Sequence, residues 1–174
     1  LEKLLLWRST TYDEPRGLYM LNRYGVMAVY INNVWTPTPS YPDFDLIING
    51  QQYVFDVKVC SQSAWALTGN TSKSLKHQYE FMKRKARVGA RCFILLHFNE
   101  KQLKTKTHDS LTIILPIPSP LWQQYETMEL KSISRETASV YGYPVQWDTP
   151  TPRATKRSPN IYSCLTEIKT WGTK

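Results

Sequence analysis

Residues 42–59 read PDFDLIINGQQYVFDVKV, and this stretch decides the fold. Two runs rich in apolar residues, Asp43–Ile48 and Gln51–Val59, flank Asn49-Gly50, the dipeptide that most strongly indicates a two-residue β-hairpin turn. A turn of this length pairs the last residue of the first run with the first residue of the second, so the numbers of every pair sum to 99. The stretch therefore predicts two adjacent antiparallel strands with one defined register.

This register gives the two faces of the hairpin different compositions, because side chains alternate along each strand. One face is apolar and is predicted to join the core, whereas the other carries Asp43, Asp56 and Lys58. Asp43 lies directly opposite Asp56, with Cβ atoms roughly 5 Å apart, and like charges in that position destabilise a strand pair. The apolar face contains Phe44, Leu46, Ile48, Tyr53, Phe55, Val57 and Val59, and the polar face also contains Asp45, Ile47, Gln52 and Val54.

A divalent cation between the two carboxylates would compensate for their repulsion. Mg²⁺ prefers hard oxygen ligands and keeps room in its shell for water and phosphate oxygens. Lys58 follows Asp56 by two residues on the same face, so its ammonium group can polarise a metal-bound water or stabilise charge that builds on phosphorus. Taken singly, each of these residues is more often an ordinary polar group on a solvated sheet. Together they indicate a site for metal-assisted chemistry.

The charge of the 174-residue chain is concentrated next to this hairpin. The chain has 22 basic and 14 acidic residues and a net charge of +8. Residues 58–107 carry eleven basic and two acidic side chains, whereas residues 1–57 and 108–174 have net charges of −2 and +1. A localised basic field favours a polyanionic partner, nucleic acid before membrane. The alternative is a charged surface that only favours solubility.

The composition excludes several other classes of protein. Apolar residues make up 41% of the chain and charged residues 21%, values typical of a globular domain rather than a disordered chain. No apolar run is long enough to span a membrane, and Leu1–Leu6 lacks the charge layout and length of a signal peptide. The three cysteines form no CxxC pair and the three histidines show no metal-ligand spacing, which argues against a disulfide framework and a zinc site. We expect a cytoplasmic protein without a membrane partner.

The rest of the chain alternates predicted helices and strands. Thr11–Glu14 resembles a capping box before a helix over Glu14–Tyr24, and Gly25 is a natural stop. Apolar residues at helical spacing predict a longer basic helix over Ser74–Val88, closed by Gly89. These elements predict an α/β fold in which a mixed central β-sheet is flanked by helices. The other predicted elements are a strand over Val26–Ile31, a loop over Asn32–Pro42, strands over Arg91–Phe98 and Leu111–Leu115, and helices over Leu121–Leu130, Ser134–Tyr141 and Ile161–Trp171.

Several motifs resemble a known nuclease superfamily. Pro42-Asp43 followed by Asp56-Val57-Lys58 resembles the PD-(D/E)xK motif. Phe55–Lys58 is also similar to the Phe-Glu-Ala-Lys of RecU-type Holliday junction resolvases, with Asp in place of Glu. Glu14 lies eleven residues before Gly25, and this spacing resembles archaeal-type junction resolvases more than RecU-type proteins. Further matching segments are His77–Met82, Gly89 with Cys92–Phe98, Leu115-Pro116, Tyr141–Tyr143 and Ile161–Trp171.

The resemblance covers about residues 21–171 and implies a restriction-endonuclease-like fold. It implies an Mg²⁺-dependent endonuclease, with Mn²⁺ as a substitute, that acts as a homodimer and nicks paired strands of a four-way DNA junction. It also implies one nuclease domain over residues 1–174, in the cytoplasm of a bacterium or a phage-infected host. The catalytic core would span about 14–116, and 117–174 would be a helical extension with a basic linker at 148–159.

The resemblance assigns roles to individual residues. Lys58 would activate the attacking water. Gln78 matches a family position near the active site, and its place on the apolar side of its helix separately predicts that it faces the sheet; a structural amide is the alternative. Glu14 either completes the metal shell or only caps its helix. The expected metal ligands are Asp43, Asp56, the Val57 carbonyl and Glu14.

The predicted contacts with DNA phosphates lie on the basic helix. The long stalk that RecU-type proteins carry after a Pro-Thr-Pro segment is missing, because Thr36–Pro39 is followed almost at once by Pro42. A duplex-DNA endonuclease of the same fold, of restriction or repair type, is therefore one alternative function. A DNA-junction-binding module without catalysis is another, and a basic protein of unrelated function is a third. The predicted phosphate contacts are Lys73, Lys76, His77, Lys83, Arg84 and Arg87.

Overall fold

The computed structural model describes residues 1–3, 5, 20–23, 28–31, 34–37, 41–68, 70–102, 107–148 and 157–172. Its helices are α1 (Asn70–Arg87), α2 (Pro120–Glu126), α3 (Arg135–Tyr141) and α4 (Ile161–Glu167). Its strands are β1 (Met20–Arg23), β2 (Ala28–Ile31), β3 (Val34–Pro37), β4 (Phe44–Ile48), β5 (Gln51–Cys60), β6 (Ala64–Ala66), β7 (Arg91–Phe98), β8 (Lys101–Gln102), β9 (Thr107–His108), β10 (Leu111–Ile117), β11 (Ser132–Ser134) and β12 (Tyr143–Pro144).

Six strands form the central sheet, in the order β1-β4-β5-β7-β10-β12. The β5 and β7 strands run parallel, and the other neighbouring pairs of this sheet are antiparallel. The α1 helix lies between β5 and β7 in the sequence and provides the crossover that a parallel pair requires. The predicted α/β fold with a mixed sheet and flanking helices is confirmed. Elsewhere β2 pairs with β3, β6 with β11, and β8 with β9.

The β4–β5 hairpin has the predicted register. Phe44 pairs with Phe55 and Ile48 pairs with Gln51. The connecting residues Asn49-Gly50 have φ angles of 50° and 78°. Left-handed backbone at both turn positions matches the twist of two antiparallel strands, which is why Asn-Gly is favoured there.

The buried apolar residues that the structure describes form two hydrophobic clusters, one on each face of the central sheet. Alternation along β7 divides its side chains between them: Ile94 and Leu96 pack on the side of α1, whereas Phe93 and Leu95 pack on the side of α4. Helices therefore cover both faces of the sheet, as a central strand with a continuous apolar run requires.

The apolar face of the β4–β5 hairpin is buried as predicted, except at one end. Six of its seven predicted residues are buried. Val59 is 52% exposed, so its assignment to the core is wrong. The paired part of β4 begins at Phe44, opposite Phe55, and no β4 residue lies beside the last residues of β5. On the other face, Val54 is fully buried in the cluster that α1 covers.

The basic helix begins four residues earlier than predicted and ends one residue earlier. It spans Asn70–Arg87 rather than Ser74–Val88. Gly89 follows with a φ of 98°, the left-handed conformation with which glycine commonly ends a helix. The predicted apolar stripe of this helix is confirmed by the burial of Leu75, Tyr79 and Met82.

The N-terminal predictions are wrong in two places. Residues 20–23 form β1 rather than the end of a helix over Glu14–Tyr24, and they pair with β4 along its outer edge. This pairing satisfies the backbone of an otherwise open edge and buries Leu21 in the core. Residues 34–37 form β3 and pair with β2 where a loop was expected. Glu14 and most of its predicted helix lie outside the described residues.

Two elements of the second half differ in length from their predictions. The β10 strand continues through Pro116 to Ile117 instead of ending at Leu115. Its outer neighbour β12 pairs only with residues 113 and 114, so Pro116 lies at a sheet edge, where proline is tolerated. The α2 helix is shorter than expected and ends at Glu126.

The last helix is also shorter than predicted. The α4 helix ends at Glu167, and the residues after it lead Trp171 back to the sheet. There its ring packs edge-on against Tyr53 and Phe93, with centroids 5.9 Å away in both cases.

The α3 helix begins after Ser134, whose side chain caps the helix by accepting a hydrogen bond from the Thr137 amide. None of the described helices combines the length and apolarity needed to cross a membrane.

Candidate active site

Four of the predicted site residues meet at the end of the β4–β5 hairpin away from its turn. Asp43 directly precedes β4, and Asp56 and Lys58 lie on one face of β5. Gln78 reaches the same place from α1. The intervening Val57 turns its side chain to the opposite face and into the core, as strand alternation requires.

A closed set of polar contacts links the side chains of Asp56, Lys58 and Gln78. Lys58 Nζ lies 2.5 Å from Asp56 Oδ2 and donates to Gln78 Oε1 at 3.1 Å. Gln78 Nε2 donates to Asp56 Oδ1 at 2.6 Å and also reaches the carbonyl oxygen of Tyr41 at 3.5 Å. Both carboxylate oxygens of Asp56 are therefore contacted, and the group is held in one orientation.

Asp43 is held from across the hairpin by the backbone. Its Oδ2 accepts a hydrogen bond from the Val57 amide at 2.8 Å. This bond keeps the carboxylate next to Asp56, close enough to affect the ionisation of that residue. The juxtaposition of the two acids that the strand register predicts is confirmed. Asp43 is half-buried, so one of the two acids faces the surface while the other is enclosed.

Burial changes the protonation of Asp56. The residue is fully buried, and desolvation raises the pKa of its carboxyl group from 3.8 to about 7. The Lys58 ammonium group acts in the opposite direction, and the charge of Asp43 adds to the increase. The cause is that a buried carboxylate loses hydration that its partners only partly replace. Acids perturbed in this way, within a cluster of charged groups, are typical of functional sites.

The oxygen atoms of this cluster fit a hard divalent cation. Asp43 and Asp56 present carboxylates side by side, and Mg²⁺ is commonly held by one or two carboxylates together with water and phosphate oxygens. Among the described residues, no three acidic, histidine or cysteine side chains gather into a metal-binding group. The remaining ligands would have to be backbone carbonyls, water or the substrate. Glu14, an expected ligand, lies outside the described residues.

The predicted phosphate contacts on α1 have different surroundings. Lys83 Nζ lies 2.5 Å from Glu126 Oε1, an oxygen that also accepts from the Tyr79 hydroxyl at 2.5 Å. The charge of Lys83 is thus already compensated within the protein. The Lys73 side chain lies outside the described part of the chain. The exposed members of the set are Lys76, His77, Arg84 and Arg87.

Tyr41, two residues before Asp43, also belongs to the site, although no motif in the sequence predicts its contacts. The Tyr41 carbonyl accepts a hydrogen bond from Gln78. The Tyr41 ring packs edge-on against the Phe81 ring, with centroids 5.1 Å apart. Pro42 is buried, which fixes the chain between this contact and Asp43. The contact joins residues about 40 positions apart, and its only sequence signal is the Tyr-Pro pair before the acid.

Comparison with known proteins adds a family match and a structural likeness. A family model, RecU or recombination protein U, matches residues 22–152, about three quarters of the chain. The matched region contains the whole polar cluster and nearly all of the central sheet. Among solved structures, the chain resembles the 1.6 Å structure of Hjc from Archaeoglobus fulgidus, a Holliday junction resolvase from an archaeal hyperthermophile. The TM-score is 0.45 and the identity 16%, over 78% of this chain and 89% of that chain. No match was found among curated proteins.

Proposed function

The chain belongs to the RecU family of Holliday junction resolvases, which are endonucleases that cleave DNA, and we propose that the Asp43–Asp56–Lys58–Gln78 cluster is its catalytic site. One observation carries this assignment. Asp56 is a buried carboxylate in contact with Lys58 and Gln78 and faces a second carboxylate. Two acids placed this way lower stability, and a reaction that uses them explains their position.

A divalent cation is the proposed cofactor, Mg²⁺ with Mn²⁺ as a substitute. The carboxylates of Asp43 and Asp56 and the carbonyl of Val57 would hold it, and Glu14 is proposed as a further ligand. When bound, the cation offsets the repulsion between the two acids and the negative charge of the phosphate that is cleaved. The donor set, two carboxylates within one hairpin, supports this proposal.

Lys58 is proposed to orient the attacking water and to lower its pKa. Its ammonium group contacts Asp56 and Gln78 together, so it is directed toward the cluster instead of bulk solvent. Gln78 is proposed as a positioning residue, because one end of its amide holds Asp56 and the other end holds Lys58. Attack of the water on phosphorus would break the bond to the 3′ oxygen and leave a 5′-phosphate at the nick.

The substrate is proposed to be contacted through the exposed basic residues of α1. Phosphate contacts of this kind position DNA without reading its sequence. A homodimer with two-fold symmetry would present two such sites, one to each of two strands of a symmetric four-way junction. We place the protein in the cytoplasm of a bacterium or a phage-infected host, where such junctions arise.

A variant series on a labelled four-way junction tests the catalytic assignment. With Mg²⁺, Asp56→Asn and Lys58→Met are expected to lower the cleavage rate at least about 100-fold, because a carboxylate or the ammonium group is lost. Asp45→Asn is the matched control, since Asp45 lies on the same strand face one pleat from Asp43 and has no proposed role. EDTA is expected to abolish cleavage, and Mn²⁺ to restore it. Full cleavage by Asp56→Asn, or cleavage in EDTA, would contradict the proposal.

A further inference from the structure

An aromatic surface lies next to the polar cluster. The Tyr41 ring meets the Phe81 ring edge-on, at 5.1 Å and 79°, and the Lys85 ammonium group lies 5.6 Å from the Phe81 centroid. Tyr41 is 47% exposed. Among the residues whose side chains the structure describes, it is the most exposed Phe, Tyr or Trp. The aromatic surface, defined as Tyr41, Phe81 and Lys85, therefore presents Tyr41 to solvent, while Phe81 and Lys85 are half-buried beside it.

The position of Tyr41 is fixed relative to the proposed catalytic residues. Its carbonyl is contacted by Gln78, and the next residue, Pro42, is buried. Two residues of chain span at most about 7 Å, so the Tyr41 backbone lies within that distance of the Asp43 backbone. Successive bases of a DNA strand are about 3.4 Å apart. The ring is thus within reach of a nucleotide one or two positions from a phosphate bound at the cluster.

The surroundings of this surface carry positive charge. Residues three and four apart on a helix are neighbours, and the neighbours of Phe81 in α1 include His77, Arg84 and Lys85. Acidic Glu80 points to another face of the helix, where it lines a groove with Tyr125. An exposed aromatic ring beside basic groups is the combination that binds unpaired nucleic acid, because bases stack on the ring while the cations meet the backbone.

We infer that Tyr41 receives an unstacked base of the junction, next to the phosphate cleaved at the Asp43–Asp56 pair. This inference rests on the proposed function and adds a contact that distinguishes branched DNA from duplex DNA. In a linear duplex, neighbouring bases occupy both faces of each base. At a branch point the stack is interrupted, and a base face becomes available to an aromatic side chain. The aromatic surface would then allow this protein to select junctions although it lacks the long stalk of RecU-type proteins.

The experiment measures binding without metal, so that cleavage does not enter. The full-length chain is titrated in EDTA with a synthetic four-way junction and with a linear duplex of matched sequence. Tyr41→Leu is expected to raise the Kd for the junction by about 5- to 150-fold, the range of one lost base stack, and to change the Kd for the duplex less than twofold. Tyr41→Phe keeps the ring and is expected to bind both substrates like the wild type. Met128→Ala, at an exposed apolar residue that follows α2, is the control.

Three results would overturn the inference: an unchanged junction Kd for Tyr41→Leu, an equal loss on junction and duplex, or an equal loss for Tyr41→Phe and Tyr41→Leu. Thermal melting of each variant verifies folding, which an exposed side chain should leave unaffected. The catalytic proposal is judged separately, by cleavage in Mg²⁺ and its loss in Asp56→Asn. Each of the two claims can therefore fail while the other stands.

Discussion

Asp56 is subject to two opposed demands. The proposed reaction needs its carboxylate ionised, whereas its burial favours the protonated form and raises its pKa to about 7. In the unfolded chain the same group titrates near 3.8. Between these values the native protein holds a proton that the unfolded chain has released. Protonation therefore stabilises the native state at low pH, and this contribution is lost as pH rises toward 7.

The first prediction concerns this pH dependence. In EDTA, the stability of the wild type relative to Asp56→Asn should fall between pH 4.5 and pH 8, because the variant lacks the titrating carboxyl group. The change should be on the order of 2–4 kcal/mol, from a shift of about three pH units at 1.36 kcal/mol each. Urea unfolding at the two pH values measures it. Parallel pH profiles for the two proteins would show that Asp56 is not held protonated in the native state.

The core of the proposed site could be predicted from local sequence, whereas its edge could not. Strand alternation and a two-residue turn suffice to place Asp43 opposite Asp56 and Lys58 beside it. The helical spacing of Leu75, Tyr79 and Met82 suffices to predict that Gln78 faces the sheet. The contact of Tyr41 with Phe81 depends on how the loop before β4 meets α1, and no periodicity in the sequence encodes that.

Gly142 lies where two elements meet and has little room for a side chain. It joins α3 to β12, and a Cβ atom added there would lie 2.2 Å from Ile113 Cγ2 and 2.8 Å from the carbonyl oxygens of Ala138 and Ile114. Two of these neighbours are backbone atoms and cannot rotate away. The glycine of the Tyr-Gly-Tyr segment is thus explained by the close approach of α3 to β10.

We predict that Gly142→Ala destabilises the protein more than Gly89→Ala does. Overpacking against backbone typically lowers the free energy of unfolding by about 1–3 kcal/mol or more. Gly89 has open space around its Cα and a left-handed φ, so alanine there should cost only about 1 kcal/mol. Urea midpoints of the two variants provide the comparison. A smaller loss of stability for Gly142→Ala than for Gly89→Ala would contradict the close packing of α3 on β10.

Elements with a strong internal pattern were predicted well. The α1 helix has an apolar stripe and a glycine stop, and β7 is a continuous apolar run, so neither needed tertiary information. The β1 strand lacks such a signal, and its conformation follows from its pairing with the edge of β4. The β2–β3 hairpin does have a local signal, two β-prone runs around Asn32-Asn33, which the loop assignment overlooked.

For the molecule as a whole, the concentration of basic residues in 58–107 predicts salt-dependent binding of DNA. The structure refines this prediction by separating exposed from compensated charges. Arg84 is exposed on α1, whereas Lys83 is paired with Glu126. Arg84 and Lys83 carry the same charge, but we expect Arg84 to contribute more to DNA binding.

We predict that Arg84→Gln lowers the slope of log K for the junction against log salt by about one. Lys83→Gln should lower it less, because the ion pair with Glu126 already offsets that charge. Titrations in EDTA at several salt concentrations provide both slopes. Equal slopes for the two variants would contradict the proposed role of the exposed face of α1.

Cleavage of four-way junctions is the activity proposed for the cluster on the β4–β5 hairpin. Its most direct test is a cleavage assay of the wild type in Mg²⁺ on a labelled four-way junction and on a linear duplex of matched sequence. We expect paired nicks with 5′-phosphate ends in the junction, none in the duplex and none in EDTA. Equal cleavage of both substrates would contradict junction selectivity, and binding without cleavage in Mg²⁺ would contradict the catalytic role of the cluster.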